Sequence, residues 1–197
     1  MQGWTVELCD RKEIRDFIEK WHYSHNINGL MSSYCFRLMD GDEMKGAMIY
    51  GKLGMANAWK KYGKSEQDVL ELRRLVLIDN TPKNAESYFI GRTLRWLKQN
   101  TDVRVIVSYA DPNYGHQGII YQATNFTKLG VTSSGRVIMW NGKKYHDKAI
   151  RTKYKGELKP FAKKLLDALQ SGEAYYVKQV PKIIYVKTLD NSHKPNI

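Results

Sequence analysis

Leu70-Glu71-Leu72-Arg73-Arg74-Leu75-Val76-Leu77-Ile78 runs straight into Asp79-Asn80-Thr81-Pro82-Lys83-Asn84-Ala85-Glu86-Ser87, and the reading of this passage decides the fold. The first nine residues are mostly large and apolar, which predicts a strand. The next nine are turn formers, and after them Phe89, Ile90, Leu94 and Leu97 recur at helical spacing, so a helix begins near Ser87. A strand that feeds a helix N-terminus presents unpaired backbone N–H groups, a natural phosphate site. Asn84, Ala85 and Ser87 are small or polar and allow close approach, and Lys83 adds a positive charge. An ordinary helix capped by Asn84 accounts for the same spacing equally well. Arg73 and Arg74 are expected on opposite faces of their strand, because side chains alternate. A buried one would need an anionic partner such as Glu71, Asp111 or a ligand phosphate.

Working outward, Val103–Val107 is a β-branched run expected to be a central buried strand. On the N-terminal side, Trp4–Cys9 reads as a strand. Asp10 with Glu13 forms a capping box for a helix carrying Ile14, Phe17, Ile18 and Trp21. Residues 33–39 and 43–50 form a hairpin about Asp40-Gly41-Asp42, and 51–68 is irregular. On the C-terminal side, a helix is expected over 119–129, stopped by Gly130. A hairpin over 136–140 and 143–150 turns at Asn141-Gly142. A helix over 158–169 follows, then strands at 175–177 and 183–189. Hairpins combined with a strand–helix–strand crossover give an α/β (α+β) class, a mixed, mostly antiparallel central sheet flanked by helices. One domain over 1–190 is expected, with 155–190 as an extension and 191–197 as a flexible tail.

Lys and Arg number 32 against 20 Asp and Glu, a net charge of +12 spread along the 197 residues. Such a surplus attracts polyanions, nucleic acid above all. The two cysteines, Cys9 and Cys35, are too few for a disulfide scaffold and suit a reducing cytoplasm. No apolar run preceded by positive charge opens the sequence, and no run of about 18 apolar residues crosses a membrane.

Three stretches hold chemistry. Ser108-Tyr109-Ala110-Asp111-Pro112-Asn113-Tyr114-Gly115-His116 follows the central strand at its carboxyl end, where ligand crevices of α/β sheets lie. Asp111 and His116 suit an acid–base pair, and Tyr109, Tyr114 and Tyr121 suit base stacking or proton donation. A polar turn made by Asp-Pro-Asn is the plainer alternative. His22-Tyr23-Ser24-His25 places two histidines three apart, a proton relay or half of a metal site, although solvent-facing helix ends account for them as well. Lys143, Lys144, Lys148 and Arg151, interleaved with Tyr145, His146 and Tyr154, suit phosphate contacts or a lysine-protected edge strand.

The order of elements resembles the GNAT N-acetyltransferase fold, whose coenzyme pyrophosphate sits at the turn corresponding to Ile78–Ser87. The glycine-rich loop of that family is replaced here by Thr81–Ser87. The tyrosine usual before the later Gly turn is Phe126, so Tyr121 would have to serve. A nearer resemblance is to the Mom proteins of Mu-like bacteriophages. It rests on His22–His25, Leu72-Arg73-Arg74-Leu75, Asn84–Ser87, Ser108–Asp111 and Gly115–Phe126, and covers roughly residues 15–155. That resemblance implies carbamoylmethylation of adenine N6 in DNA, protecting phage DNA from host restriction in the bacterial cytoplasm. It implies acetyl-CoA as the carbon source, and iron as an activator that His22 and His25 would hold. His22, Tyr23, Ser108, Asp111 and Tyr121 become catalytic candidates. Arg73, Leu75, Val76, Lys83, Asn84, Ala85, Ser87 and Asn125 become coenzyme-binding candidates. Tyr109, Tyr114, His116, Lys143, Lys144, Lys148 and Arg151 become DNA-binding candidates, with the base flipped from the duplex. Acetylation of another amine (a small molecule, a protein or a modified base) and a non-catalytic DNA-binding anti-restriction module stay open beside this reading.

Overall fold

Alternating side chains make Trp4–Cys9 the first strand, β1, and the Asp10 N–H donated to the Glu13 carboxylate at 2.7 Å starts helix α1, Arg11–Trp21. The structure, a computed structural model, describes residues 3–189, so the tail expected at 191–197 lies outside the described residues. Strands β2 (Tyr34–Asp40) and β3 (Glu43–Gly51) form the expected hairpin. Two short 3-10 turns occupy the irregular segment before β4, Val69–Leu77. Helix α2 (Ala85–Asn100), β5 (Val105–Ala110), α3 (Ile119–Ala123), β6 (Thr127–Val131), β7 (Arg136–Trp140) and β8 (Lys143–His146) come next. The chain ends with β9 (Lys153–Tyr154), β10 (Glu157–Leu158), α4 (Pro160–Ser171), β11 (Tyr175–Lys178) and β12 (Ile183–Thr188).

The chain gathers into two compact units. One takes residues up to Ala110, His116–Gly130 and the chain from Ile183; the other takes Asp111–Gly115 and Val131–Lys182. The extension expected from residue 155 therefore shares its unit with the preceding hairpin. The first unit is built on a seven-stranded sheet in the order β1-β2-β3-β4-β5-β12-β6. The β4–β5 pair is parallel, and β1–β2, β2–β3, β3–β4 and β5–β12 are antiparallel. One sheet face packs Phe36, Met48, Tyr50, Leu70 and Leu72 against Phe89, Ile90, Leu94 and Leu97 of α2. The other packs Cys35, Ala47, Ile49 and Val76 against Ile14 and Ile18 of α1, with Val69, Val105 and Val107 in a neighbouring cluster. In the second unit β11-β7-β8 form a three-stranded sheet whose Ile138 packs against Leu165 and Ala168 of α4.

Two expectations need correction. Arg73 and Arg74 do not lie on opposite faces. The β3–β4 register shifts between the Ile49–Arg74 and Tyr50–Leu72 pairs, making Arg73 the extra residue of a β-bulge. Leu72 and Leu75 then both face α2 although three residues apart. Both arginines are left on the opposite face: Arg74 pairs with Ile49, and the Arg73 side chain approaches Gly51 and Gly54. The helix expected over 119–129 stops at Ala123. Asn125 takes a left-handed φ of 60°, the Phe126 N–H returns to the Tyr121 carbonyl, and the chain enters β6. Gly130 sits within that strand instead of ending a helix.

Candidate functional site

The strand-to-helix turn forms a cleft. Asn84 is the N-cap of α2 with φ 74° and makes no side-chain cap, so the first-turn amides are not covered by it. The cleft, about 580 Å³, is lined by Leu77, Ile78, Asp79, Thr81–Ser87 and, from α3, Ile119, Ile120 and Ala123. Lys83, Asn84, Ala85 and Ser87 are thus brought together as the sequence suggests. Thr81, at the start of the same turn, joins them, as do the α3 residues, which only the fold could have revealed.

Beside it the sheet opens. Strands β4 and β5 pair only at Val69–Val105, Leu70–Ile106 and Glu71–Val107. One residue further, Ser108, fully buried, donates from Oγ to the Leu72 carbonyl at 3.3 Å, a side chain standing where the ladder ends. The Tyr121 hydroxyl is hydrogen-bonded to Ser108, and burial pushes its pKa up to about 12, so it remains a phenol donor. Tyr23 is electrostatically coupled to both Tyr121 and Arg74. Its ring lies 4.2 Å from that of His22 and 5.0 Å from that of His116. Ser108, Tyr121, Tyr23, His22, His116 and Arg74 therefore form one cluster in the first unit.

His22 is 5 % exposed. Its Nδ1 accepts from the Ser24 N–H at 3.1 Å and meets Ser24 Oγ at 2.8 Å. A backbone N–H can only donate, so the neutral ring carries its proton on Nε2. Burial, then Arg74, His116 and His25, push the pKa down to about 4. Between pH about 6.5 and 4 the unfolded chain binds a proton that the folded chain refuses. Stability is therefore full above about pH 6.5 and declines as pH falls toward 4, by on the order of 2–3 kcal/mol. Urea unfolding at stepped pH checks this: His22→Gln should flatten the wild-type slope across that window, and an unchanged slope excludes His22 as its source.

Arg74, which sequence reasoning left out of the site, donates to the Arg73 carbonyl at 2.7 Å, and burial lowers its pKa. Arg73 pairs with Glu71 at 3.5 Å and donates to the Lys52 carbonyl at 2.6 Å. The Nε atoms of both are buried without a hydrogen-bond partner, an arrangement that favours an incoming acceptor atom. The signals for Arg74 in the sequence are two adjacent arginines inside an apolar strand and their place in the Leu72-Arg73-Arg74-Leu75 motif. Leu75 and Val76 lie on β4 with Leu75 toward α2 and Val76 toward α1. Asn125 offers its carbonyl to Lys187 at 3.2 Å. Tyr109 packs in the Val105–Val107 cluster with its hydroxyl on that of Tyr62, and burial raises its pKa.

Asp111 lies in the second unit. Its carboxylate accepts from the Asn113 N–H at 3.1 Å, from Asn113 Nδ2 at 2.8 Å and from Lys182 Nζ at 3.0 Å. Burial alone would raise its pKa, but Asn113 and Lys182 together hold it below the usual range. Asn113 in turn bonds both backbone groups of Val180 at 3.0 Å. Asp111 thus anchors the 111–115 loop to the 180–182 segment between β11 and β12. Also in that unit, Tyr114 and Lys144 meet at 5.2 Å, Arg151 pairs with Asp147, and Lys143 stands at the hairpin end. Lys148 donates its N–H to His146. His25, exposed, holds the Glu19 carbonyl with Nδ1 at 2.9 Å. Among the described residues no group of three or more His, Cys, Asp or Glu side chains gathers to hold a metal. The residues present do not fit iron. No helix of the described residues is long and apolar enough to cross a membrane.

A parallel strand pair that separates after three residues, beside a cleft at the next helix N-terminus, places the molecule in the class of GNAT acetyltransferase folds. Solved structures agree over nearly the whole chain. A Bacillus subtilis acetyltransferase in complex with CoA superposes with TM-score 0.53 at 13% identity, covering 94% of this chain and 98% of that one. A GNAT-family acetyltransferase from Desulfovibrio desulfuricans gives 0.53 at 8% identity, covering 95% and 99%. The yncA protein of Salmonella typhimurium with acetyl-CoA gives 0.53 at 10%, covering 98% of each. Within that class the chain belongs to the Mom protein family, whose model matches residues 3–196. It is 28% identical over 137 residues to the methylcarbamoylase mom of Escherichia phage Mu, a match covering 68% of this chain and 56% of that protein. The chain thus spans little more than half the length of this relative.

Proposed function

We propose that the chain is a DNA-modifying transferase. It converts acetyl-CoA and the N6 amine of a DNA adenine into N6-carbamoylmethyladenine, shielding phage DNA from restriction in the host cytoplasm. Bonding N6 to the methyl carbon is a two-electron oxidation and the amide nitrogen displaces the CoA thiol, so an oxidant and an ammonia-equivalent donor are co-substrates. The observation that carries this reading is the opening between β4 and β5 at Leu72 and Ser108, flanked by the α2 cleft. The coenzyme pyrophosphate lies on the first-turn amides of α2 with Lys83 alongside, and the thioester reaches along Leu75 and Val76 toward Ser108. The target base leaves the duplex stack and packs on the Tyr23 and His116 rings. Tyr121 and Nε2–H of His22 are hydrogen-bond donors to developing negative charge, and Arg74 supplies fixed positive charge in a dry site. Asp111 acts at one remove, as a positioning residue for the loop that leads into His116. The relative's name and the coenzymes bound by proteins of the same fold support this assignment.

Mass analysis of nucleosides from DNA of bacteria expressing the chain tests it. An adenine nucleoside heavier by a carbamoylmethyl group is expected. An acetyl increment would shift the reading to plain acetylation of the base, and unmodified DNA would overturn it.

A further inference from the structure

The second unit has a cleft of its own. Twelve Lys and Arg stand against five Asp and Glu in Asp111–Gly115 and Val131–Lys182, so +7 of the chain's +12 is held by less than a third of its residues. In the β7–β11 register Arg136 stands directly opposite Lys178. Facing like charges destabilise a sheet, and both side chains are exposed, so packing gives no reason for the pair. A cleft of about 480 Å³ opens at this corner, lined by Ser134, Gly135, Arg136, Asp147, Tyr176 and Lys178.

The corner is only partly neutralised. Asp147 lies 3.8 Å from Arg136 Nε but is shared with Arg151 Nη2 at 3.1 Å. The Arg136 guanidinium lies 4.0 Å from the centre of the Tyr176 ring, which holds the planar group against an aromatic face. A guanidinium held this way loses less freedom when it takes an oxyanion in two parallel hydrogen bonds. Lys178 adds a second cation across the strand pair, and Lys148 and Arg151 continue the positive charge along the adjoining 3-10 turn. An open, extended run of cations suits a polymer of phosphodiesters better than a single small anion.

We propose that the Arg136–Lys178 corner is a phosphate-backbone grip for duplex DNA, separate from the coenzyme cleft and from the hairpin lysines Lys143 and Lys144. The identity of the partner rests on the proposed DNA acceptor.

Fluorescence anisotropy of a labelled DNA duplex with the full chain, titrated at several salt concentrations, tests the grip. Replacing both residues (Arg136→Ala with Lys178→Ala) should lower the slope of log affinity against log salt by about two. Lys163→Ala with Lys164→Ala, an equal charge loss on the exposed side of α4, should leave the slope as in wild type. A wild-type slope in the first double variant, or an equal drop in the second, overturns the grip. Should a melting curve show the first double variant unfolded, Lys178→Gln alone decides: a drop of about one supports the grip and no drop overturns it. A wild-type chain that fails to bind the duplex overturns both the grip and the DNA acceptor. Wild-type binding with an unmoved slope in the variant overturns the grip alone.

Discussion

Tyr121→Phe should cut DNA modification by about 10²–10³-fold, the typical loss when one preorganised donor to developing charge is removed. Ser108→Ala should lower it as well, because Ser108 Oγ holds the Tyr121 hydroxyl that turns to that charge. The two hydroxyls form a chain from Tyr121 through Ser108 to the Leu72 carbonyl, set where β4 and β5 part. Tyr121 lies deep enough that its hydroxyl stays protonated up to about pH 12. It therefore serves as a donor across the working range and not as a base. Both substitutions preserve shape, so calorimetry should find coenzyme affinity within a few fold of wild type. The modified fraction of adenine, measured by mass, reads the effect. Wild-type modification in either variant would remove that hydroxyl from the chemistry. Loss of coenzyme binding in step with activity would mean that the pair shapes the pocket instead.

Gly118→Ala should cost about 4 kcal/mol of stability, the sum of left-handed strain and overpacking against an immobile ring. Gly118 has φ +78°, and a Cβ there would lie 2.6 Å from Cζ and 2.8 Å from the hydroxyl oxygen of Tyr185. The ring has no room to retreat. It is fully buried, its hydroxyl donates to the Gln117 carbonyl at 2.8 Å, and it accepts from Gln122 Nε2 at 3.0 Å. Those bonds clamp both ends of the turn that launches α3, so the loss should extend to the placement of Tyr121. Gly91, on the exposed side of α2 with nothing within 4 Å of its Cβ position, is the control. Gly91→Ala should stabilise by about 0.5–1 kcal/mol. Urea unfolding of the two variants separates these signs, and a Gly118→Ala chain as stable as wild type would show that Tyr185 can move.

Local rules carried much of the fold into view. The capping box at Asp10 and Glu13, the hairpin at Asp40-Gly41 and the helix following Asn84 depend on neighbours within a few residues, and each is found where the residues place it. Failures came where a distant partner outweighed a local pattern. Period-two alternation assigned Arg73 and Arg74 to opposite faces, but α2 demands both Leu72 and Leu75, and the bulge meets that demand. Helical spacing continued past Ala123, but the return of Phe126 to the core beside Tyr121 turned the chain at Asn125. In the loop after β5, Asp111 carried the residue type of a catalyst. Its ties to Asn113 and Lys182, a partner about seventy places on, are not visible in a linear reading.

By itself the amino-acid order determined the mixed α/β class, the basic surface and the turn between β4 and α2, because propensity, charge and capping act over a few residues. Tertiary structure alone decided where β4 and β5 separate, that Ser108, Tyr121, Tyr23, His22 and Arg74 share one cluster, and that Arg136 faces Lys178. Strand register and bulges set those neighbourhoods, and register is chosen by the burial of whole faces against distant helices, a balance that no short stretch of sequence contains.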